Sequence, residues 1–220
     1  MQKDQYFTFS NREVKIKAWL DECKKLKSHR PFKFDLMKSA LLVLDMQNVF
    51  LNKESHAFIP SAAPIIPIIR ELIDFMLKHG GKVVHTRHIT SDRSIDIMKK
   101  WWRHPIFSQD DKSAIVPLLD TNEGILITKN RYSAFYQTNL ETILRKDSIS
   151  QVIITGVMSH LCCETTARDA FMRDFEVFFV VDATATYTEE LHLGTLRAIS
   201  HGFGICISSE EILNAPKNPS

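Results

Sequence analysis

The sequence predicts a three-layer α/β fold with a doubly wound, mostly parallel sheet of six strands. Short apolar runs alternate with segments whose apolar residues recur at helical spacing, which is typical of helices that cross over between parallel strands. Within each run the apolar residues are consecutive, as expected for strands covered by helices on both faces. The six predicted strands are residues 40–44, 82–86, 125–128, 151–155, 176–181 and 204–207.

The predicted helices lie between these strands. Residues 64–78 carry apolar side chains at helical spacing and end at a pair of glycines, a common stop signal. Thr186 and Glu189 have the spacing of a capping box, which predicts that another helix begins there. Two more helices are predicted over residues 139–146 and 162–173.

The length of the chain, 220 residues with 44% hydrophobic content, favours one well-buried domain. We expect this domain to cover residues 39–213, with a tail at 214–220. Residues 1–38 form an amino-terminal extension with one amphipathic stretch, predicted to pack on the domain or on a partner subunit. This extension, or the charge-rich segment 88–113, could also cover a pocket.

Composition argues against several classes of partner. Lys and Arg total 28 and Asp and Glu total 26, so no strong field is present to hold nucleic acid or a membrane surface. No apolar run reaches the roughly 20 residues that cross a bilayer, and the first residues lack a signal-peptide core. The four cysteines show no CxxC spacing, which fits reduced thiols. We therefore expect a cytoplasmic protein that binds a small molecule.

Three reactive side chains follow predicted strands. Asp45 follows the first strand, Lys129 the third, and Cys162 lies just beyond the fourth, at a predicted helix start. Ligands bind at the carboxyl ends of the strands in such sheets, so these groups could form one site for acyl transfer. The helix dipole and the lysine should lower the pKa of the thiol and make it nucleophilic. The alternatives are a buried structural cysteine, a capping aspartate and a lysine in a structural ion pair.

Sequence motifs around these residues resemble the isochorismatase-like cysteine hydrolases. The nucleophile motif of that family is similar to residues 156–170 (GVMSHLCCETTARDA), and its other two signatures are similar to residues 45–48 (DMQN) and 129–135 (KNRYSAF). The three motifs occur in the expected order and the resemblance spans residues 40 to about 213. It implies the isochorismatase-like, Rossmann-like version of the α/β fold.

The resemblance also implies roles for individual residues. Cys162 would be the nucleophile, Asp45 the base and Lys129 its partner. A cis peptide bond would join Val157 to Met158, and the backbone amides of Met158 and Cys162 would form an oxyanion hole. The implied reaction is cleavage of a C–N bond in a small amide or ureide through a Cys162 thioester, without a cofactor.

A second interpretation is isochorismate hydrolysis. Residues 131–135, His160 and residues 169–174 are similar to true isochorismatases, which cleave a vinyl ether with the aspartate as acid and need no sulfur. Those enzymes typically lack a cysteine at the position of Cys162 and tend to carry a tyrosine where this chain has Met158, so thiol chemistry is favoured. A third interpretation is a binding module without catalytic activity.

The predicted pocket contains further candidates. The substrate-binding candidates are Gln47, Phe50, Trp101, Trp102 and Tyr132. Nicotinamidase-like relatives bind a metal ion near the site, but the ligand pattern that should follow the aspartate is missing here, so no metal is predicted. Self-association into a homo-oligomer is expected because such enzymes are often dimers or larger.

Overall fold

The computed structural model describes residues 2–26, 29–91, 96–119 and 121–216. In this part of the chain six strands form one sheet, and every strand pair is parallel. Their order in the sheet is β3-β2-β1-β4-β5-β6. The predicted α/β fold is therefore confirmed. The strands are β1 (Ser39–Leu44), β2 (Lys82–His88), β3 (Ile125–Lys129), β4 (Gln151–Val157), β5 (Glu176–Ala185) and β6 (Ile205–Ile207).

Helices cover both faces of the sheet, and within the described ranges none is long and apolar enough to cross a bilayer. They are α1 (Arg12–Leu26), α2 (Asn48–Leu51), α3 (Ile65–Lys78), α4 (Ile97–Trp101), α5 (Leu140–Lys146), α6 (Glu164–Phe171), α7 (Glu189–Gly202) and α8 (Ser209–Leu213). The helix predicted over residues 162–173 is shorter than expected, because a π-helical turn over Ser159–Cys163 precedes α6.

The predicted capping box at Thr186 and Glu189 is wrong by two residues. Helix α7 begins at Glu189, and its cap is Thr188, whose hydroxyl accepts a hydrogen bond from the Leu191 amide at 3.3 Å. Thr186 instead lies next to the end of β5, where its hydroxyl is 2.7 Å from Nδ1 of His160. The spacing located the helix correctly but assigned the cap to the wrong threonine.

The close approach of β1 and β4 depends on a glycine. Gly156 pairs with Leu44 in the parallel ladder and has a φ of +105°. A Cβ atom at this position would lie 2.1 Å from the Leu44 carbonyl oxygen, so a side chain cannot be accommodated. The carboxyl ends of the two central strands are thereby held together, and the loops that follow them meet at one edge of the sheet.

The amino-terminal segment packs on the rest of the chain. Trp19 of α1 is only 1% exposed, and its indole N–H donates to Glu189 of α7 at 2.9 Å. Lys15 forms an ion pair with the same carboxylate at 2.6 Å. Ahead of α1, the aromatic rings of Tyr6 and Phe7 are also buried. Tyr6 and Phe7 are thus held against the domain, and the Tyr6 hydroxyl accepts a hydrogen bond at 3.0 Å from the amide of Thr186, the residue after β5.

Candidate active site

Asp45 occupies the first position after β1, and its backbone has a φ of +51°. Aspartate tolerates this left-handed conformation better than most residues, and such backbone conformations are enriched at functional sites. The carboxylate is completely buried. Its Oδ1 accepts a hydrogen bond from the Thr86 hydroxyl at 2.7 Å, and its Oδ2 lies 2.6 Å from Nζ of Lys129. Both oxygens therefore point in directions set by neighbouring strands.

Lys129, the last residue of β3, reaches past the end of β2 to this carboxylate. Its ammonium has three N–H donors, and three acceptors surround it: Asp45 Oδ2 at 2.6 Å, the Arg131 carbonyl at 3.0 Å and Cys162 Sγ at 3.4 Å. Burial by itself lowers the pKa of Lys129, but the charges of Asp45 and Cys162 raise it above its ordinary value. The lysine is consequently a fixed cation between a carboxylate and a thiol.

Cys162 lies in the π-helical turn that follows β4, after a Val157–Met158 peptide bond that is cis. Burial raises the pKa of its thiol well above the ordinary value, the Asp45 carboxylate raises it further, and Lys129 opposes both effects. The expected lowering of this pKa is therefore wrong. The sequence indicated the helix start and the lysine, but it could not show how completely the sulfur is buried or how near the carboxylate lies.

A high pKa for loss of a proton to solvent does not prevent proton transfer inside the cluster. With Asp45 ionised, Lys129 protonated and Cys162 neutral, the three side chains carry no net charge. Moving the thiol proton to Asp45 leaves a thiolate beside the ammonium, again with no net charge. Burial penalises an uncompensated charge far more than a rearranged ion pair. The geometry thus permits the thiolate to form while the site remains neutral overall.

A cavity of about 390 Å³ lies above the cluster, and both Cys162 and Met158 line it. This volume is at the small end of the usual range for ligand pockets. Of the predicted substrate-binding residues, the structure brings four to this cavity: Phe50, Trp101, Trp102 and Tyr132. The Trp102 indole N–H donates to the Tyr132 hydroxyl at 2.7 Å, so two of these rings hold each other in place.

Gln47, the fifth candidate, lies outside the cavity lining. It is fully buried, and its side-chain amide donates to the carbonyls of His88 and Ser113 and accepts from the His88 amide. All of its hydrogen-bonding groups are thus used by the backbone. Gln47 therefore connects the end of β2 to the loop before β3 through hydrogen bonds.

Sequence reasoning missed several residues of the site. Thr86 is the last residue of the second predicted strand and contacts Asp45. Strand order alone would have predicted this contact, because both residues lie at the carboxyl ends of neighbouring strands. Lys3, Arg103 and Tyr187 also line the cavity, and no motif marks them. Part of the charge-rich segment 88–113 covers the pocket; residues 92–95 of that segment lie outside the described ranges.

The residues that resemble isochorismatases outside the cluster form a structural junction. The Ser133 hydroxyl donates to Asp169 at 2.5 Å, and Nε of Arg173 donates to the other carboxylate oxygen at 2.8 Å. The Ala134 amide donates to the Thr166 hydroxyl at 3.0 Å. This junction fastens the loop after Lys129 to helix α6. Of residues 131–135 and 169–174, only Tyr132 is among the described residues that line the cavity.

The donor set that a metal ion would need is not assembled in the described ranges. No group of three or more His, Cys, Asp or Glu side chains there is placed to hold one. His56 and His104 both line the cavity, but their rings pack against each other with centroids 4.4 Å apart. His88 is buried and its pKa is lowered to about 4 by desolvation, with Lys129 adding to the effect.

The fold and the sequence place the chain in a family of hydrolases. The chain belongs to the isochorismatase domain family, whose model matches residues 39–211.

Three proteins illustrate the breadth of this similarity. The chain is 37% identical over 179 residues to nicotinamidase 3 of Arabidopsis thaliana, covering 79% of this chain and 86% of that protein. It is 34% identical over 187 residues to enterobactin synthase component B of Escherichia coli K12, covering 83% of this chain but 65% of the relative's length. Among solved structures, a cysteine hydrolase from Pseudomonas syringae pv. phaseolicola has a TM-score of 0.79 at 25% identity, covering 83% of this chain and 93% of the other.

Proposed function

We propose that this chain is a cysteine amidohydrolase that cleaves a C–N bond of a small amide or ureide through a Cys162 thioester. One observation carries this proposal. Cys162 lines the cavity, and its sulfur lies 3.4 Å from the Lys129 ammonium, which is itself 2.6 Å from the Asp45 carboxylate. A nucleophile, a base and a fixed cation are what such a reaction requires.

In the first half of the proposed reaction, Asp45 accepts the thiol proton as the sulfur attacks the carbonyl carbon. The new S–C bond places negative charge on the carbonyl oxygen, which the backbone amides of Met158 and Cys162 stabilise as an oxyanion hole. When the oxyanion collapses, the C–N bond breaks. The nitrogen takes the proton from Asp45 and leaves as an amine or ammonia.

In the second half, water enters the space vacated by the amine. Asp45, again ionised, accepts a proton from this water as its oxygen attacks the thioester carbon. The S–C bond then breaks, the sulfur regains a proton from Asp45, and the acid is released. Lys129 remains protonated throughout. Its positive charge stabilises the negative charge of Asp45 or Cys162, whichever is ionised at each stage.

The decisive experiment compares Cys162→Ala with Cys163→Ala. Both cysteines are buried neighbours, but only Cys162 is among the described residues that line the cavity. We expect Cys162→Ala to abolish release of ammonia from a panel of amides and ureides, and Cys163→Ala to retain it. Mass spectrometry of rapidly quenched reactions should show the acyl group on the peptide that contains Cys162. Undiminished turnover by Cys162→Ala would reject the proposal.

A second candidate, hydrolysis of the vinyl ether of isochorismate, is favoured by the sequence similarity over residues 131–135, of which Tyr132 lines the cavity. In that reaction Asp45 would donate a proton to the enol carbon, and sulfur would take no part. Release of pyruvate from isochorismate should then stop in Asp45→Ala and persist in Cys162→Ala. The two candidates therefore give opposite results for the cysteine variant.

A further inference from the structure

In the described part of the chain, the charged side chains that line the cavity have one sign. Its charged lining residues, within the described ranges, are Lys3, Lys99 and Arg103, and no Asp or Glu lines it there. Asp45, the acid beneath the cavity, is already paired with Lys129 at 2.6 Å. A cleft lined by cations attracts an anion, because low-dielectric walls focus the field inside it.

Lys3 is the best defined of these cations. Its Nζ donates to the carbonyls of His56 at 2.7 Å and Phe58 at 2.8 Å, and it lies 4.5 Å from the centroid of the Tyr187 ring. These contacts orient the ammonium but do not neutralise it. An ammonium has three N–H donors, and the two carbonyls use two of them. Among the described residues no third hydrogen bond from this ammonium is present, so a donor is left for a ligand beside the Tyr187 ring.

Hydrogen bonds to Tyr187 and Ser61 hold the segment that carries Lys3 in place. The Asp4 amide donates to the Tyr187 carbonyl at 2.7 Å, and the Asp4 carbonyl accepts from the Ser61 hydroxyl at 3.0 Å. The Phe7 amide donates to the same hydroxyl at 3.2 Å. Lys3 is therefore part of the cavity wall, contributed by a segment outside the region that the family model matches.

No described carboxylate forms an ion pair with Lys3 or Arg103. Burial lowers the pKa of Lys3, and no opposing charge offsets this desolvation. A bound anion would supply that charge. The rest of the wall is apolar and aromatic, which suits the uncharged body of a small substrate.

We propose that Lys3 is a specificity residue that binds a carboxylate of the substrate, so that the amide or ureide cleaved at Cys162 is an anionic one. This proposal rests on the proposed function, and it narrows the substrate class. The carboxylate stands at the end of the substrate away from the scissile bond, and the aromatic wall contacts the part between them.

The test uses substrate pairs that differ only by a carboxylate or a methyl group at that end: 3-ureidopropanoate with propylurea, and succinamate with butanamide. We expect kcat/KM to be at least about tenfold higher for each carboxylate member, since a charge-assisted hydrogen bond contributes about 1.5–3 kcal/mol. Lys3→Met should raise KM for the carboxylate member about tenfold or more, with little change in kcat. It should leave the methyl member unaffected, and Lys3→Arg should restore most of the difference.

Lys17→Met is the matched control, because Lys17 is exposed on α1 and does not line the cavity. An equal loss on both members of a pair in Lys3→Met, or no preference for carboxylates in the wild type, would overturn the inference. Calorimetric titration of Cys162→Ala with the same compounds separates this outcome from failure of the proposed function. If no compound is turned over, tighter binding of the carboxylate members still supports the role of Lys3, provided that Lys3→Met abolishes this difference in affinity. Equal binding of both members rejects that role.

Discussion

The Lys129 ammonium lies 2.6 Å from the Asp45 carboxylate, and neither side chain is exposed to solvent. These residues are 84 positions apart in the sequence, on strands separated in the sheet by β2. A buried ion pair adds little net stability, because desolvating both groups offsets their attraction. Such a pair therefore indicates a functional requirement more than a structural one.

Replacing Lys129 by Met should destabilise the protein and remove activity. The substitution leaves the Asp45 carboxylate buried without its cation, a change that typically costs about 3–5 kcal/mol. Urea unfolding measures the loss. Adding Asp45→Asn to the same protein should recover part of the stability but none of the activity, because it removes the unpaired charge. Equal stability of Lys129→Met and the wild type would contradict the buried pair.

The reactivity of Cys162 should increase when Asp45 is replaced by Asn. The carboxylate raises the pKa of the thiol, whereas Lys129 lowers it. Removing the negative charge should therefore lower this pKa, so the thiolate forms at lower pH. An adjacent charge commonly shifts a pKa by 1–3 units, so alkylation by iodoacetamide at pH 7 should become about tenfold faster or more. The pH profile of the alkylation rate measures the shift, although catalysis is lost.

The matched control for this experiment is the double variant Asp45→Asn with Cys162→Ala, in which the fast phase of alkylation should disappear. Cys23 and Cys206 are buried elsewhere in the fold and report only background labelling. Slower alkylation in Asp45→Asn would contradict this prediction. It would mean that Asp45 acts on the resting thiol mainly as a base, and not mainly as a negative charge that raises the thiol pKa.

Much of the fold could be predicted because its signals are local. Consecutive apolar residues located all six strands, and several of these strands extend beyond the predicted ends. The largest extension is at β5, which continues through the polar residues Asp182 and Thr184. Their side chains are buried and hydrogen-bonded to Ser209 and to the Val180 carbonyl respectively. The polar residues predicted that the strand ends there, but their tertiary hydrogen bonds allow it to continue.

The location of the site could be predicted for a different reason. In a parallel sheet every strand ends at the same edge, so residues that follow strands meet although they are distant in sequence. The raised pKa of Cys162 and the position of Lys3 could not be predicted in this way. The first depends on the depth of burial, and the second on where an extended segment crosses the domain. Neither property leaves a pattern in neighbouring residues.

The junction between residues 133 and 173 should contribute to stability and not to substrate choice. Asp169 accepts hydrogen bonds from Ser133 and Arg173, away from the cavity lining. Asp169→Ala should therefore lower the free energy of unfolding by about 1–3 kcal/mol and leave KM within about twofold. Tyr132→Phe provides the contrast, since it removes the hydroxyl that accepts from Trp102 at the cavity and should change KM with little loss of stability. A change in substrate preference in Asp169→Ala would give this junction a role in recognition.

The geometry of the cluster depends on Gly156 more than on any other glycine near the site. A Cβ atom there would meet the backbone of Leu44, the residue before Asp45, at distances of 2.1 to 2.8 Å, and the positive φ disfavours alanine as well. Because the obstacle is backbone, relief requires β1 and β4 to separate, which would move Asp45 away from Cys162. Gly156→Ala should therefore abolish activity and lower stability by at least about 3 kcal/mol. The control is Gly194→Ala on the exposed face of α7, where no atom lies within 4 Å of the added Cβ and a gain of about 0.5–1 kcal/mol is expected. Activity assays and urea unfolding of both variants test this prediction. A fully active Gly156→Ala protein would show that β1 and β4 can separate without disturbing the site.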